Sequence, residues 1–273
     1  MAAPQLSRQQ LSRQQRRTAA RDAMERGRRL LTRGLGPEID ETDALGLALL
    51  LHEWLTSTEH GGATAAAAMA EALLEKSLKA EIKAPGLGCA KGCTYCCSAI
   101  VTCSAPEIFR VVDFLRATAS LPTAPIKLEA ARRLTLTTDQ SLAQRSPCPM
   151  LVGGACSVYQ ARPIACRALL SNSSESCRLA LDENIGQPQI VVPAMTKGEI
   201  ARTLLLAAVS AAGLPDRGIE LSAGVAAVLD HPDAETRWLA GEDIFAHVLG
   251  AERLPAARTA QDRLAALVRQ LVD

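Results

Sequence analysis

The sequence predicts a mainly α protein: a helical body with a central, irregular, cysteine-rich metal-binding module that contains a short β-hairpin. Three observations lead there. The chain is 48% hydrophobic but only 3% aromatic, so its core must be built from Leu, Ala, Val and Ile. Apolar residues recur at helical spacing before residue 84 and after residue 195, as along the last helix at Leu264, Leu267, Val268 and Leu271. All nine cysteines fall between Cys89 and Cys177, four of them within nine residues. Thiols at that density suit ligation of a soft metal rather than the filling of a core.

With 273 residues the chain has ample length for a core. The net charge of +1 hides alternating blocks: +7 over residues 1–33, −6 over 34–83, +5 over 84–180 and −5 over 181–273. The blocks divide the chain into a basic helical arm (1–33), a helical segment (34–83), the cysteine-cluster module (84–180) and a helical C-terminal region (181–273). The longest apolar run, Ala44 to Leu51, is eight residues with Gly46 inside it, well short of the ~18 of a membrane span. No apolar stretch precedes a small-residue cleavage site near the start. The expectation is a cytoplasmic chain with no membrane contact and reduced thiols, and the odd cysteine count also argues against a disulfide framework.

Residues 1–33 read as a weakly amphipathic helix. Its arginines (Arg16, Arg17, Arg21, Arg26, Arg28, Arg29, Arg33) suit an acidic protein partner; with no aromatic interleaved to stack on bases, they argue against nucleic acid. The plainer expectation is a solvated or partly disordered arm. Gly34-Leu35-Gly36-Pro37 punctuates the chain. Residues 43–57 follow as a buried apolar helix with Leu45, Leu47, Leu49, Leu50, Leu51, Trp54 and Leu55. Gly61-Gly62 breaks it, residues 63–83 form an Ala-rich helix, and Pro85, Gly86 and Gly88 deliver the chain to Cys89.

In Cys89-x-x-x-Cys93-x-x-Cys96-Cys97 the last two side chains diverge because they are adjacent. Cys89, Cys93 and Cys96 are expected to serve one site, and Cys97 a second site or the core. Tyr95 either shields the metal or packs as a core aromatic. Cys103 ends a short apolar run and reads as a buried small hydrophobe. Ser104-Ala105-Pro106-Glu107 is a capping box that opens a helix with Ile108, Val111, Val112 and Leu115 on its apolar face.

Gly153-Gly154 marks a two-residue hairpin. Its register would set Val152 opposite Ala155, Leu151 opposite Cys156 and Cys148 opposite Tyr159. Cys148 and Cys156 then point to opposite sides of the ribbon unless a bulge resets the parity. Pro163 begins a helix expected to run through Leu170, with Cys166 in its first turn, where the helix dipole favours a thiolate. Arg162 and Arg167 either counter the charge of an anionic thiolate cage or bind an anionic substrate or cofactor carboxylate. Cys177 closes the module after the polar run Ser171-Asn172-Ser173-Ser174. Gln189 to Val192 is a candidate strand, and helices are expected over about 196–212, 218–229, 233–249 and 257–271.

The module resembles the YkgJ-like cysteine-cluster family, described as a putative zinc- or iron-chelating domain. The residues that carry the likeness are Cys89, Cys93, Cys96-Cys97, Glu107, Cys148-Pro149-Met150-Leu151, Gly154-Ala155-Cys156, Tyr159, Arg162-Pro163-Ile164-Ala165-Cys166-Arg167 and Cys177. They cover about residues 86–180. The resemblance implies chelation by Cys89, Cys93, Cys96, Cys97, Cys148, Cys156, Cys166 and Cys177, and it adds Tyr159 to Arg162 and Arg167 as residues facing a cofactor. A related cysteine region occurs in flagellin lysine N-methylases, which would imply iron–sulfur-linked methyl transfer to protein.

No histidine lies within the module; His52, His60, His231 and His247 are outside it and read as surface or satisfied helix residues. An all-thiolate set suits an iron–sulfur cluster or zinc. The spacing of Cys89, Cys93 and Cys96 also matches the radical-SAM triad, but the strands of a β/α barrel are missing from the pattern. The sequence thus points to a metal-binding protein whose reaction is unassigned. An iron–sulfur methyltransferase-like enzyme and a structural zinc adapter are the alternatives. No Ser/His/Asp set or phosphate loop stands out to settle whether it is an enzyme.

Overall fold

An aliphatic core with few rings has to gain its density from close helix approaches, and small residues at the crossings permit them. In the computed structural model, which describes residues 12–36, 38–57, 59, 61–118, 123–136, 140, 144–248 and 254–272, this is how the body is built. Helix α1 (Arg13–Arg33) opens on a Ser12/Gln15 capping box and packs Ala23, Gly27 and Leu30 against α2 (Glu41–Thr56). At the crossing a Cβ on Gly27 would lie 2.6 Å from the Gly46 carbonyl carbon, and one on Gly46 would lie 2.8 Å from that of Ala23. The basic segment is therefore docked from about residue 20 to Leu30, while residues 12–19 are mostly exposed, as a solvated arm would be. Small residues carry little hydrophobic amplitude, so its pattern did not announce the contact. Residues 1–11 lie outside the described part.

Helix α2 is apolar all round and buried from Leu45 to Leu51, as a central helix should be. It packs on α3 (Gly62–Ser77) and on α9 (Val192–Ala211), with α12 (Pro255–Val272) closing the bundle. The Ala-rich stretch is two helices, α3 and the short α4 (Lys79–Ile82). On a second flank α5 (Ala105–Ala117) packs against α3 and α10 (Leu221–Leu229), and α10 also holds α6 (Thr123–Leu134). Phe109 meets Trp238 and Phe245 with ring centroids 5.6 and 5.8 Å apart, gathering three of the seven aromatics in one place. Helices α7 (Ile164–Ala168) and α8 (Ser174–Asp182) belong to the cysteine module, and α11 (Ala234–Leu239) precedes the last turn region.

The strands are two residues each. β1 (Thr102–Cys103) pairs antiparallel with β4 (Ile219–Glu220), and β2 (Leu151–Val152) with β3 (Ala155–Cys156) in the expected hairpin register. Gly153 and Gly154 both have positive φ, as a type I′ turn needs. Residues from all four charge blocks share one hydrophobic core. No helix among the described residues is long and apolar enough to cross a membrane.

Several expected elements differ. Residues 189–192 give only a bridge between Ser171 and Ile190, because Val192 already begins α9 with Pro193 in its first turn. The helix expected over 233–249 stops at Leu239, followed by Gly241 at φ 93°. Helix α6 had no apolar stripe to reveal it, because its buried face includes Glu129 and Arg133 beside Ile126 and Ala130.

That face is an ionic network. Glu129 accepts from Arg132, from Arg133 Nε at 2.7 Å and from the Ser146 hydroxyl at 2.6 Å, and Glu220 lies 3.5 Å from Arg133. Burial pushes the Glu129 carboxyl up, but the hydrogen bonds from Arg132 and Ser146 and the charge of Arg133 outweigh it and hold it at about 2. A carboxylate held below its ordinary value stabilises the fold above that value, and the contribution disappears as pH falls from about 4.5 toward 2. Glu129→Gln should cost roughly 3 kcal/mol at pH 7, with the difference from the parent narrowing across that acid window in denaturant titrations. Gly46→Ala should cost roughly 2–3 kcal/mol by forcing α1 from α2, read as a lower midpoint at unchanged denaturant slope.

Candidate metal centre

Glycine and serine bring the first cysteine into place. The Gly88 N–H donates to the Ser171 carbonyl at 2.8 Å, and the Ser171 N–H donates to Cys89 Sγ at 3.3 Å. A Cβ on Gly88 would lie 2.6 Å from the amide nitrogens of Ser173 and Ser174, so the approach of this loop to the start of α8 requires glycine. Ser173 caps α8 through the Ser176 N–H, and Cys177 sits buried on that helix. The helix in turn packs on the 3-10 turn Tyr95–Ser98, which carries Cys96 and Cys97. The Ser171–Ser174 run, read as a plain polar loop, is thus the clamp between the two ends of the module.

The second half docks on the same turn. The Cys148 N–H donates to the Cys97 carbonyl at 2.7 Å. A tight turn follows, Leu151 N–H to Cys148 carbonyl at 3.0 Å, so Cys148 leaves the ribbon before the hairpin begins. It does not pair with Tyr159, which lies in the 3-10 turn Tyr159–Ala161. Cys148 thus falls outside the pairing on which the expectation of opposite sides rested. The Met150 backbone amide opposes the rise that burial causes in the Cys148 thiol, and the Val158 amide opposes it at Cys156. Amide donors aimed at sulfur favour thiolate charge.

The thiols act on one another in two groups joined by Cys96. Burial raises the Cys89 thiol, the Ser171 amide opposes it, and the sulfurs of Cys93, Cys96 and Cys177 raise it further. Burial raises Cys166 well above its ordinary range, with Cys148, Cys96 and Cys156 adding to it and Arg162 opposing. Cys96 is raised first by its hydrogen bond to Cys97 and then by burial. Cys148 is pushed up to about 11 by burial against the Met150 amide. Cys103 is fully buried in β1, paired across to Ile219, as its apolar context suggested. Among the described residues no three His, Cys, Asp or Glu side chains are gathered tightly enough to form a ready metal cage.

The two arginines occupy different surroundings. Arg167, 2% exposed, pairs with Glu71 at 2.8 Å and with Glu75, and donates to the carbonyls of Arg162 at 2.7 Å and Gln160 at 2.6 Å. Every nitrogen of its guanidinium is engaged, and it fastens α7 to α3. Arg162 stacks on the 59% exposed Tyr159, 4.2 Å from the ring centroid, and its Nε is buried with no partner among the described residues. Its charge opposes the rise at Cys96, Cys156 and Cys166, with Arg167 adding to it at Cys156 and Arg133 acting at Cys148. Glu107 completes the frame. Its Oε2 accepts from the Ser104 N–H and hydroxyl at 2.7 Å each, while Oε1 accepts from the Ile164 N–H at 2.8 Å. One buried carboxylate thereby caps α5 and holds the first turn of α7, where Cys166 sits.

Sequence reading missed Glu71, Glu75 and Ser171 as partners of the module. The first two lie on an Ala-rich helix with no local sign of their role. Burial pushes the Glu71 carboxyl up to about 7 against the pull of Arg167 and Arg110. No family model, no curated protein and no solved structure matches the chain, so the YkgJ-like resemblance rests on the motif residues alone. Breaking a buried ion pair on one side leaves an uncompensated charge. Arg167→Gln should therefore cost roughly 3–5 kcal/mol, whereas Arg162→Gln should stay within about 1 kcal/mol, both read from urea midpoints.

Proposed function

We propose that the chain is a metal-binding protein that holds iron, as an iron–sulfur cluster, or zinc through its cysteine cluster. The observation that carries this is the convergence of segments remote in sequence: the Cys148 N–H on the Cys97 carbonyl and the Ser171 N–H on Cys89 Sγ bring three cysteine-bearing stretches onto one patch. The neighbours of each sulfur divide the donors. Cys93, Cys96 and Cys177 act on Cys89, while Cys148, Cys96 and Cys156 act on Cys166, so the reading has two sets of donors with Cys96 between them.

The donor chemistry fits. Four thiolates suit tetrahedral zinc and iron–sulfur ligation alike. Backbone amides on Cys89, Cys148 and Cys156 and the guanidinium of Arg162 offset the negative charge that such a site retains. When bound, zinc would supply a cross-link, and an iron–sulfur cluster would add one-electron chemistry. The chain's own part is to crowd half-buried thiols so that a soft cation, rather than protons, satisfies them. The motif resemblance supports the same chemistry, and a cytoplasmic, reducing compartment would keep the ligands as thiols.

Anaerobic purification with metal analysis and an absorption spectrum tests the reading. The expected result is bound iron with broad visible absorption, or one to two colourless zinc ions per chain by the tetrathiolate arithmetic. Cys93→Ser should lose metal while Cys103→Ser keeps it. Protein that retains neither metal after isolation and takes up neither on anaerobic reconstitution would end the proposal.

A further inference from the structure

Away from the cysteines, a groove of about 1130 Å³ lies between the start of α2, the outer face of α9 and α12. Its walls are mainly apolar: Ile39, Ala44, Met195, Ile200, Leu254 and Leu264. Leu254 is 78% exposed and Met195 40%, an unfavourable display for large apolar side chains in water. The stretch of α9 that lines the groove, Met195 to Leu204, spans roughly 14 Å of helix axis. The volume lies slightly above the ~300–1,000 Å³ of small-molecule sites.

The charges on these walls are not equally satisfied. Arg263 pairs with Glu41 at 2.7 Å, and Glu199 accepts from the Thr203 hydroxyl at 3.4 Å. Arg202 has one long hydrogen bond, Nη2 to Thr102 Oγ1 at 3.3 Å, and its Nε is buried without a partner among the described residues. A guanidinium offers five donors in a rigid fork shaped for carboxylate, and here, among the described residues, the fork has one long bond to Thr102 and an unpartnered Nε. An elongated apolar trough with one under-used guanidinium is complementary to a molecule with an apolar tail and a single anionic head.

We infer that this groove binds a medium-length acyl carboxylate, its chain along α9 and α12 and its carboxylate on Arg202. The site is independent of the metal reading; it meets the cysteine module at Thr102 and through the charge of Arg202 on the neighbouring buried Cys103. An uncharged tail would gain from the walls alone, so the head group should be worth a measurable increment.

Dodecanoate and dodecanol, titrated calorimetrically below their aggregation limits, test the inference on the full chain. The expected result is saturable binding of one dodecanoate per chain, with dodecanol weaker. Arg202→Gln should weaken dodecanoate roughly tenfold or more, in line with loss of a charge-assisted hydrogen bond, and leave dodecanol unchanged. Ala257→Trp, which fills the groove, should abolish both at unaltered melting temperature and metal content. Equal dodecanoate affinity in the parent and Arg202→Gln, or no saturable binding, would overturn it. So would dodecanoate-insensitive dimerisation that Ala257→Trp removes, since the groove would then be a contact between copies.

Discussion

The buried guanidinium of Arg167 is the joint on which the architecture turns. It lies between Glu71 and Glu75 of α3 and the carbonyls of Gln160 and Arg162. A charge taken out of water must recover its hydration from fixed partners, and the partners here sit on two pieces of chain, α3 and the turn that leads into α7. Once the pair forms, the short helix that carries Cys166 cannot slide along the helical body. Arg110 shares Glu71 at 2.8 Å, so α5 joins the same knot.

Glu107 does with a carboxylate what Arg167 does with a cation. Within α5 it is an ordinary capping-box residue; through Ile164 it also fixes the entry to α7. Polar groups, rather than apolar contact, therefore decide where the irregular module sits. That is physically reasonable for a segment whose helices and strands are too short to bury a face of their own. The helical body supplies the rigid side of the joint by tight small-residue packing at Gly27, Gly46 and the Ala-rich face of α3.

Thiols in such a setting are held in tension between burial and charge. The module half-buries them, points amides at three of them and sets Arg162 beside them. Each of these features has little use for inert packing, as the contrast with Cys103 makes plain: that thiol is fully enclosed with apolar Ile219 opposite. The same distinction separates the two large-scale features of the molecule. The cysteine patch is polar and crowded with donors, whereas the groove beside α9 is mainly apolar, with the Arg202 Nε unpartnered among the described residues.

Much was legible in the residues alone because it rests on local physics. The helical class, the buried α2, the capping box at Ser104 and the hairpin register at Gly153-Gly154 follow from periodicity, capping and turn preferences that a few neighbouring residues determine. That the module offers a dense set of thiol donors is legible for a similar reason, since a residue's donor atoms travel with it. What the chain could not announce was any feature decided by a distant partner. Arg167 faces α3 because Glu71 and Glu75 lie there, Cys148 leaves its ribbon because its amide finds the Cys97 carbonyl, and α1 docks because two glycines meet. Burial and partnership are properties of the folded whole, set by segments tens of residues apart, and only the tertiary structure could assign them.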